Sequence, residues 1–281
     1  MYNPDFVVAG HLCCDLVDQR IILGGSASYA SLTARSLGRR VGVVTAVADD
    51  FPFRDVFRDI SLETIPSAST TTFRNSYHDG VREQFVSGVA ASIHGAHIPR
   101  HWTDVTAAYL CPIANEVVPD VIDRFRGALV GIGAQGWLRQ WDETGRVRKK
   151  RWADAELLAN RVDVLVLSEL DMDNPYDFAE DIVALGPIVI VTQSDRGAEL
   201  FVGHERIHVP AFKIKEIEPT GAGDVFAAAF LVRYEECGDP VDAAKFACCA
   251  ASFVCEQEGT KGIPTLSQVR MRRQEYEMLH F

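Results

Sequence analysis

The hydrophobic positions fall into short runs separated by amphipathic stretches, most regularly in the second half of the chain. Short apolar runs occur at 107–110, 128–132, 162–167 and 187–191, and helical patterns occur at 119–126, 154–160 and 175–185. Two similar apolar runs, Phe6–Ala9 and Val41–Val47, lie nearer the N-terminus. Strands that alternate with helices are typical of a parallel sheet with helices on its faces. The pattern therefore predicts an α/β protein.

One segment breaks this alternation. β-Branched and aromatic residues at 69–77 and 81–86 flank the dipeptide Asp79-Gly80, which is the strongest short-range signal for a β-hairpin. No helix separates these two strands, so they do not belong to the alternating layer. They form either a small separate sheet or an extension at the edge of the main sheet.

The stretch 216–234 carries the clearest chemical signal. Gly221 and Gly223 allow a tight turn that brings backbone N–H groups close to a ligand, and helix-forming residues follow until Gly238 ends the helix. The N-terminus of a helix suits a phosphate or a developing oxyanion. Asp224 lies in the first turn, where the helix dipole favours its ionised form. A carboxylate beside an anion site suits a base that removes the proton of an attacking hydroxyl.

Composition and charge limit the functions further. The 281 residues, 47% of them hydrophobic, suffice for one large α/β domain or two smaller ones. The formal net charge of -11 argues against a nucleic-acid or anionic-membrane surface. The basic segment 146–151 follows a turn at 143–145 and alternates like an exposed strand, which predicts a solvated hairpin. No apolar run reaches the ~18 residues of a membrane span, and no signal peptide is recognisable.

Cysteines and histidines show no metal-binding pattern. The seven cysteines form no Cys-x-x-Cys pair and lie mostly in apolar runs, which predicts buried residues in a reducing, cytoplasmic setting. His94, His97 and His101 lie close together, but Gly95 and Pro99 prevent a regular helix that would align them. We expect surface histidines at these positions.

A second set of candidate residues lies near the N-terminus. Asp15 follows the first predicted strand, in the kind of loop where α/β sheets hold ligands. Its carboxylate can accept two neighbouring hydroxyls of a polyol, or it can be a solvated turn acid. Gly24 and Gly25 precede a helical pattern with Ser26 as the expected N-cap and Gly38 as the end.

The hexapeptide Pro219-Thr-Gly-Ala-Gly-Asp224 resembles the signature of the ribokinase-like carbohydrate kinases, the pfkB family. The resemblance implies one domain over 1–281, a three-layer, doubly wound, mostly parallel sheet with a small β lid made of segments about 12–24 and 68–92. It implies ATP and Mg²⁺ as cofactors. It also implies phosphorylation of a hydroxyl, with Asp224 as general base and the N–H groups of Gly221, Ala222 and Gly223 as the anion hole.

The same resemblance assigns the remaining site residues. It implies substrate binding by Asp15, Gly24 and Gly25, nucleotide binding by Thr192, Ser194, Gly197, Thr220, Gly221 and Gly223, and organisation of Mg²⁺ through water by Asp171 or Glu169.

The chain departs from the family pattern at four positions. Ser194 replaces a glycine of the nucleotide loop, and Ser168 and Asp171 replace the Asn and Glu of the metal motif. Glu218 replaces an Asp that in the family lies near a monovalent cation site. Whether this protein binds a monovalent cation therefore stays open. In the family a helix, here 241–255, and a loop, here 259–264, border the adenine, and we expect this loop to end the fold.

The acceptor is the least specific part of the resemblance. The stretch 24–29, Gln135 with Arg139, the pair 141–142 and Pro219 look like the myo-inositol kinases of plants. Asp15 can accept vicinal hydroxyls while Gln135 and Arg139 donate to others, and no aromatic slot for a nucleobase is evident. We therefore predict ATP-dependent phosphorylation of myo-inositol or a close polyol or sugar.

Several alternatives stay open. The acceptor can be ribose, fructose or a nucleoside, since such kinases share the signature. The departures at Ser168 and Asp171 also allow an inactive sensor that only binds nucleotide or polyol, although Asp224 argues against it. The strands predicted for the β lid can also pair with a second copy of the chain, so a homodimer through the β lid stays open.

Overall fold

The structure is a computed structural model that describes residues 3–17, 20–78 and 81–280. In chain order its strands are β1 (Phe6–Ala9), β2 (Cys13–Val17), β3 (Arg20–Gly24), β4 (Val41–Val47), β5 (Ser61–Pro66), β6 (Thr72–His78), β7 (Val81–Gly88), β8 (Ala107–Leu110), β9 (Leu129–Gly133), β10 (Arg139–Trp141), β11 (Val147–Lys149), β12 (Val164–Ser168), β13 (Ile188–Thr192), β14 (Gly197–Val202) and β15 (Glu205–Pro210). Its α-helices are α1 (Ser26–Ser36), α2 (Ala155–Ala159), α3 (Pro175–Val183), α4 (Ala222–Cys237), α5 (Pro240–Cys255) and α6 (Leu266–His280). Short 3-10 helices lie at Arg54–Phe57, Gly95–His97, Arg100–Trp102, Pro119–Phe125, Ala134–Leu138, Ser194–Arg196 and Gly259–Gly262.

The main sheet is mostly parallel. Its order is β15-β14-β13-β12-β9-β8-β1-β4-β5, and only the pairs β13–β14 and β14–β15 are antiparallel. The central strand β1 pairs with β8 and β4 in register, so that Ala9 lies beside Leu110 and Val44. The predicted α/β architecture is confirmed. The carboxyl ends of β9, β12 and β13 meet at one edge, where parallel sheets bind ligands.

Helices cover both faces of this sheet. Successive strand residues point to opposite faces, and Val8 packs in the cluster that contains α1, α4 and α5, whereas Val7 packs with α2 and α3. Residues 225–232 of α4 are all buried, because the helix lies between the sheet, α1 and α5. This burial holds the N-terminus of α4 in a fixed place at the sheet edge.

A second sheet of four strands has the order β3-β2-β6-β7. The hairpin β6–β7 is antiparallel as predicted, and it lies in this second sheet, so the alternative of an extension of the main sheet is excluded. The turn residues Asp79 and Gly80 lie outside the described residues. Strand β2 pairs in parallel with β6, which joins the two segments predicted for the lid.

The basic segment also forms the hairpin that its alternation predicts. Strand β10 pairs antiparallel with β11, with Trp141 opposite Val147. The hairpin is not only a solvated surface feature. The N–H of Val86 in β7 donates to the carbonyl of Gly145 at 2.8 Å, so the hairpin is attached to the second sheet.

Several predicted boundaries are wrong. The helix expected at 119–126 is the 3-10 helix Pro119–Phe125, and the helix expected at 154–160 shortens to Ala155–Ala159. Strand β5 was not predicted. It pairs only with β4 at the sheet edge, and its partly exposed residues do not form an apolar run.

The expectation that the fold ends at the loop 259–264 is also wrong, because α6 follows. Its sequence is mostly polar or charged, and buried apolar residues are sparse along it. Val269 and Tyr276 are 0% and 1% exposed, and the Tyr276 hydroxyl donates to the carbonyl of Pro210 at 2.9 Å. The helix is therefore part of the core although its pattern is weak.

Five of the seven cysteines are buried, Cys237 is exposed and Cys255 is half-buried. His94 and His101 are exposed, and His97 accepts a hydrogen bond at Nδ1 from the N–H of His94 at 3.0 Å. Across residues 3–17, 20–78 and 81–280, no helix is long and apolar enough to cross a membrane.

Candidate active site

One cleft of about 940 Å³ lies at the carboxyl edge of the main sheet, beneath the second sheet. It collects most of the residues that the sequence predicted for the site. Its lining includes Asp15, Gly25, Gln135, Arg139, Asp171, Thr192, Ser194, Gly197, Thr220, Gly221, Ala222, Gly223 and Asp224. Gly24 and Glu169 are the predicted residues that do not line it.

The turn before α4 requires glycine at its first position. Gly221 has φ 82°, in the left-handed region that favours glycine, and a Cβ there would overlap the ring of Tyr29. Tyr29 is 1% exposed in α1, so the ring cannot move aside easily. A Cβ on Gly223 would meet no described atom within 4 Å. The space above Gly223 is therefore open to a ligand.

One of the three N–H groups predicted for the anion hole takes part in the turn itself. The N–H of Ala222 donates to the carbonyl of Pro219 at 3.1 Å, and the first helical bond runs from Val225 to Gly221 at 2.9 Å. Ala222 is thus engaged in the turn. Within the described part of the chain, the N–H groups of Gly221 and Gly223 donate to no other residue. These groups, at the positive end of α4, can bind an anion.

Asp224 is partly buried in the first turn of α4. Burial raises its pKa from 3.8 to about 6, and the repulsion of Asp171 adds to this, whereas a hydrogen bond from Ser26 and the charge of Arg139 oppose it. The expectation that the helix dipole keeps this carboxylate fully ionised is therefore too simple, because desolvation dominates. A carboxylate with a pKa near neutrality suits a general base.

Asp15 lies in strand β2 of the second sheet, and the expectation of a loop position is wrong. It is 8% exposed. A Cβ on Gly24 would overlap its carboxylate, so this glycine makes room for the acid. In the register of β2 and β6, Asp15 lies directly beside Phe73, whose side chain also lines the cleft.

The N-terminus of α1 also differs from the prediction. Gly25 occupies the N-cap position with φ 92°, and Ser26 is the first residue of the helix. A Cβ on Gly25 would lie 2.6 Å from the carbonyl oxygen of His11, so the chain can pass here only with glycine. Ser26 is 5% exposed, and its hydroxyl lies close enough to Asp224 to lower the pKa of this carboxyl. Ser26 thus positions the candidate base.

Gln135 and Arg139 flank the middle of the cleft. The amide of Gln135 donates to Oδ1 of Asp171 at 3.4 Å, so it faces the predicted metal side. The guanidinium of Arg139 lies 5.8 Å from the centre of the Phe73 ring. Gln135 thus contacts the loop after β12, and Arg139 contacts the second sheet.

The structure separates the two acids of the loop after β12. Asp171 lines the cleft, and its Oδ2 accepts from the N–H of Ser168 at 2.8 Å. Glu169 forms an ion pair with Arg196 and accepts from the hydroxyl of Tyr176 at 3.2 Å. Asp171 is therefore the acid that is available to a ligand in the cleft.

The loop after β13 lines the same side. Ser194 adopts φ 53°, a conformation that explains why the family has glycine at this position. Gly197 has φ 109°, and a Cβ there would overlap the carbonyl oxygen of Val209. Thr192 ends β13, with its hydroxyl 3.4 Å from the carbonyl of Leu167. The glycine at 197 is thus required by packing, whatever it contacts in the cleft.

Sequence reasoning missed several residues that form the walls. The second sheet and the basic hairpin contribute Phe73, Glu83 and Arg146, the last two as an ion pair. The far end of the cleft is lined by a group of apolar, thiol and small side chains: Phe212, Ile214, Phe226, Cys248, Ala251, Ser252 and Cys255. Their common signal in the sequence is only hydrophobicity, which does not distinguish a cleft wall from a core.

The sequence profile of the pfkB family carbohydrate kinases matches residues 145–266. The chain carries a pfkB family carbohydrate kinase domain. Two relatives illustrate the range of kinases to which the chain is similar. Cytidine kinase of Thermococcus kodakarensis is 26% identical and covers 85% of this chain and 91% of its own. Inositol 3-kinase of Arabidopsis thaliana is 24% identical and covers 82% of this chain and 68% of its own.

Solved structures show the fold of the kinase. A pyrophosphate-dependent kinase of the ribokinase family, complexed with a pyrophosphate analog and myo-inositol, has a TM-score of 0.79 at 21% identity and covers 97% of this chain and 99% of its own. Arabidopsis thaliana ribokinase, complexed with ribose and ATP, has a TM-score of 0.75 at 17% identity, with the same coverage of 97% and 99%. The predicted ribokinase-like fold is confirmed.

Proposed function

We propose that this kinase transfers a phosphoryl group from ATP to a hydroxyl of a small polyol or sugar, with Asp224 as general base. The observation that carries the proposal is the place of Asp224, whose pKa is raised to about 6, beside the open N–H groups of the Gly221–Gly223 turn. Asp15 lines the same cleft and supplies a carboxylate for the hydroxyls of the acceptor.

The chain's own residues perform the following steps. Asp15 holds the acceptor so that one hydroxyl lies against Asp224, and Ser26 fixes the orientation of that carboxylate. Asp224 takes the hydroxyl proton as the oxygen bonds to the terminal phosphorus and the bond to the leaving ADP breaks. The N–H groups of Gly221 and Gly223 stabilise the negative charge on the transferring group. The second sheet excludes water from above.

The cleft fits ATP and a magnesium ion. The apolar, thiol and small side chains at the far end offer a slot for a nucleobase, and the open space at Gly223 suits phosphate oxygens. Asp171 would hold Mg²⁺ through water, since its carboxylate faces the cleft, and Mg²⁺ when bound would neutralise phosphate charge. Glu218 accepts from the N–H of Gly259 at 3.0 Å, so this carboxylate braces the loop that precedes Thr220.

For the acceptor we propose myo-inositol first. Asp15 can accept a pair of vicinal hydroxyls, and Arg139 can donate to others. The relationship to inositol 3-kinase and the likeness to a kinase solved with myo-inositol support this choice. A ring that carries a hydroxyl on every carbon has a partner for each of these groups.

A nucleoside is the second candidate, because of Phe73. This aromatic ring lies beside Asp15 in the cleft, where a base or sugar can stack on it. The sequence did not mark such a ring, since Phe73 and Asp15 are brought together only by strand pairing. The relationship to cytidine kinase over 85% of the chain supports this alternative.

The test is a turnover screen with two donors. ADP release with ATP and phosphate release with pyrophosphate are measured for myo-inositol, ribose, deoxyribose, fructose and cytidine, and the phosphorylated product is verified by mass. We expect ATP with myo-inositol to give the highest kcat/KM. Faster turnover of cytidine or ribose by more than about tenfold overturns the acceptor choice. Binding of ATP without phosphorylation of any acceptor favours a nucleotide-binding sensor.

A further inference from the structure

The far end of the cleft is formed by two segments that do not belong to the same helix or sheet. One is the irregular segment after β15, which contributes Phe212, and the other is α5, which contributes Ser252. Because Phe212 lies in no helix or strand, its position depends on side-chain contacts. A wall of this kind recognises a flat ligand only if something holds it in place.

Arg272 of α6 contacts both elements. Its guanidinium lies 4.9 Å from the centre of the Phe212 ring and 3.4 Å from the centre of the Phe253 ring. Its Nη1 donates to Oγ of Ser252 at 2.9 Å, and its Nη2 pairs with Oε2 of Glu256 at 2.9 Å. The side chain is only 14% exposed. Ring contacts and charge-assisted hydrogen bonds thus engage the face and both terminal nitrogens of the guanidinium.

We propose that Arg272 is a positioning residue for the base of the donor nucleotide. It clamps Phe212 against α5 and fixes Ser252, so that the slot keeps the width of a nucleobase. The inference rests on the proposed use of ATP. It extends the donor site to α6, which begins at Leu266, where the family match ends.

The neighbouring Arg273 provides a matched control. It is similarly buried, with 15% exposure, and its Nη2 pairs with Asp242 at 3.1 Å and with Glu277 at 3.0 Å. None of these three residues lines the cleft. Removal of the whole helix would not serve as a test, because Val269 and Tyr276 belong to the core.

The experiment compares Arg272→Met with Arg273→Met. Methionine keeps an apolar stem of similar length and removes the guanidinium. For Arg272→Met we expect the KM for ATP, and the Kd for ATP measured by calorimetry without acceptor, to rise about tenfold, while kcat and the acceptor KM change less than about twofold. Arg273→Met should lower the melting temperature by about as much as Arg272→Met does, and it should leave the affinity for ATP unchanged.

Two further variants keep the test independent of folding. Arg272→Lys should weaken ATP binding by an intermediate amount, and Phe212→Leu should reproduce the loss, with the double variant less than additive because both act through one contact. If wild type turns over ATP and none of these variants alters its KM, the positioning role is refuted while the kinase proposal stands. If wild type binds no ATP and uses only pyrophosphate, both proposals fail together.

Discussion

Replacement of Asp224 by Asn should make the protein more stable and nearly inactive. Raising the pKa of Asp224 from 3.8 to about 6 corresponds to about 3 kcal/mol at pH 7, at about 1.36 kcal/mol for each pKa unit. The native fold bears this cost because it partly buries an ionised carboxylate that the unfolded chain exposes. Asparagine is neutral, nearly isosteric, and can keep the hydrogen bond with Ser26.

The sign of the pH dependence follows from the same shift. The native state holds the proton more tightly than the unfolded chain, so the wild-type protein loses stability as pH rises from about 4 to about 6 and bears the full cost above that range. The advantage of Asp224→Asn should therefore be about 6 °C in Tm at pH 7 and about half of that at pH 5. Differential scanning calorimetry from pH 5 to pH 8 measures both values.

Activity should change in the opposite direction. The loss of a positioned general base should lower kcat by ~10²–10⁴, and wild-type kcat should fall on the acid side below a pH of about 6. The matched control is Asp242→Asn. Burial tends to raise the pKa of Asp242, but Arg233 and Arg273 outweigh it and lower this pKa, so its neutralisation should reduce stability at pH 7. If Asp224→Asn is no more stable than wild type, the desolvation argument is wrong, and near-normal turnover would refute the role as base.

Three further variants test other parts of the cleft. Gly24→Ala places a methyl group against the Asp15 carboxylate without backbone strain. The acceptor KM should therefore rise about tenfold or more, while the KM for ATP stays unchanged. An unchanged acceptor KM in steady-state kinetics would contradict this. Gly223→Ala meets no described atom, so thermal stability should not fall, whereas kcat/KM for ATP should fall about tenfold if phosphate occupies that space. Asp171→Asn should raise the Mg²⁺ concentration for half-maximal activity about tenfold. Glu169→Gln disturbs the contacts with Arg196 and Tyr176, which lie outside the cleft lining, and should not change it. Equal effects of the two would refute the choice of Asp171.

The parts of the fold that the sequence predicts are those with a local cause. Buried strands such as β12, with apolar residues at 164–167, contain continuous apolar runs. The turn before α4 depends on Gly221, which has φ 82° and lies two residues from Gly223. The charge at the helix N-terminus and the place of Asp224 follow from the same few residues. Local chemistry of this kind needs no knowledge of distant contacts.

The parts that the sequence did not predict have distant causes. Phe73 enters the site only because β6 pairs with β2, which brings it beside Asp15. The raised pKa of Asp224 depends on burial, opposed by contacts with Ser26 and Arg139, and these are tertiary effects. The sequence pattern does not predict helix α6, because its few buried side chains, such as Val269 and Tyr276, do not form a clear apolar stripe.

The division of the cleft between the two sheets separates the residues proposed for the acceptor from the proposed base and donor slot. Asp224 and the glycine turn lie at the start of α4, and the proposed donor slot is formed by α4, α5 and the segment after β15, whereas Asp15 and Phe73 lie on the second sheet. The second sheet is joined to the hairpin β10–β11 through the ion pair of Glu83 with Arg146 and the bond from Val86 to Gly145. Substitutions in this unit can reshape the proposed acceptor end without moving Asp224 or the glycine turn. Relatives named as cytidine and inositol kinases, each matched over more than 80% of this chain, are what such a division would produce.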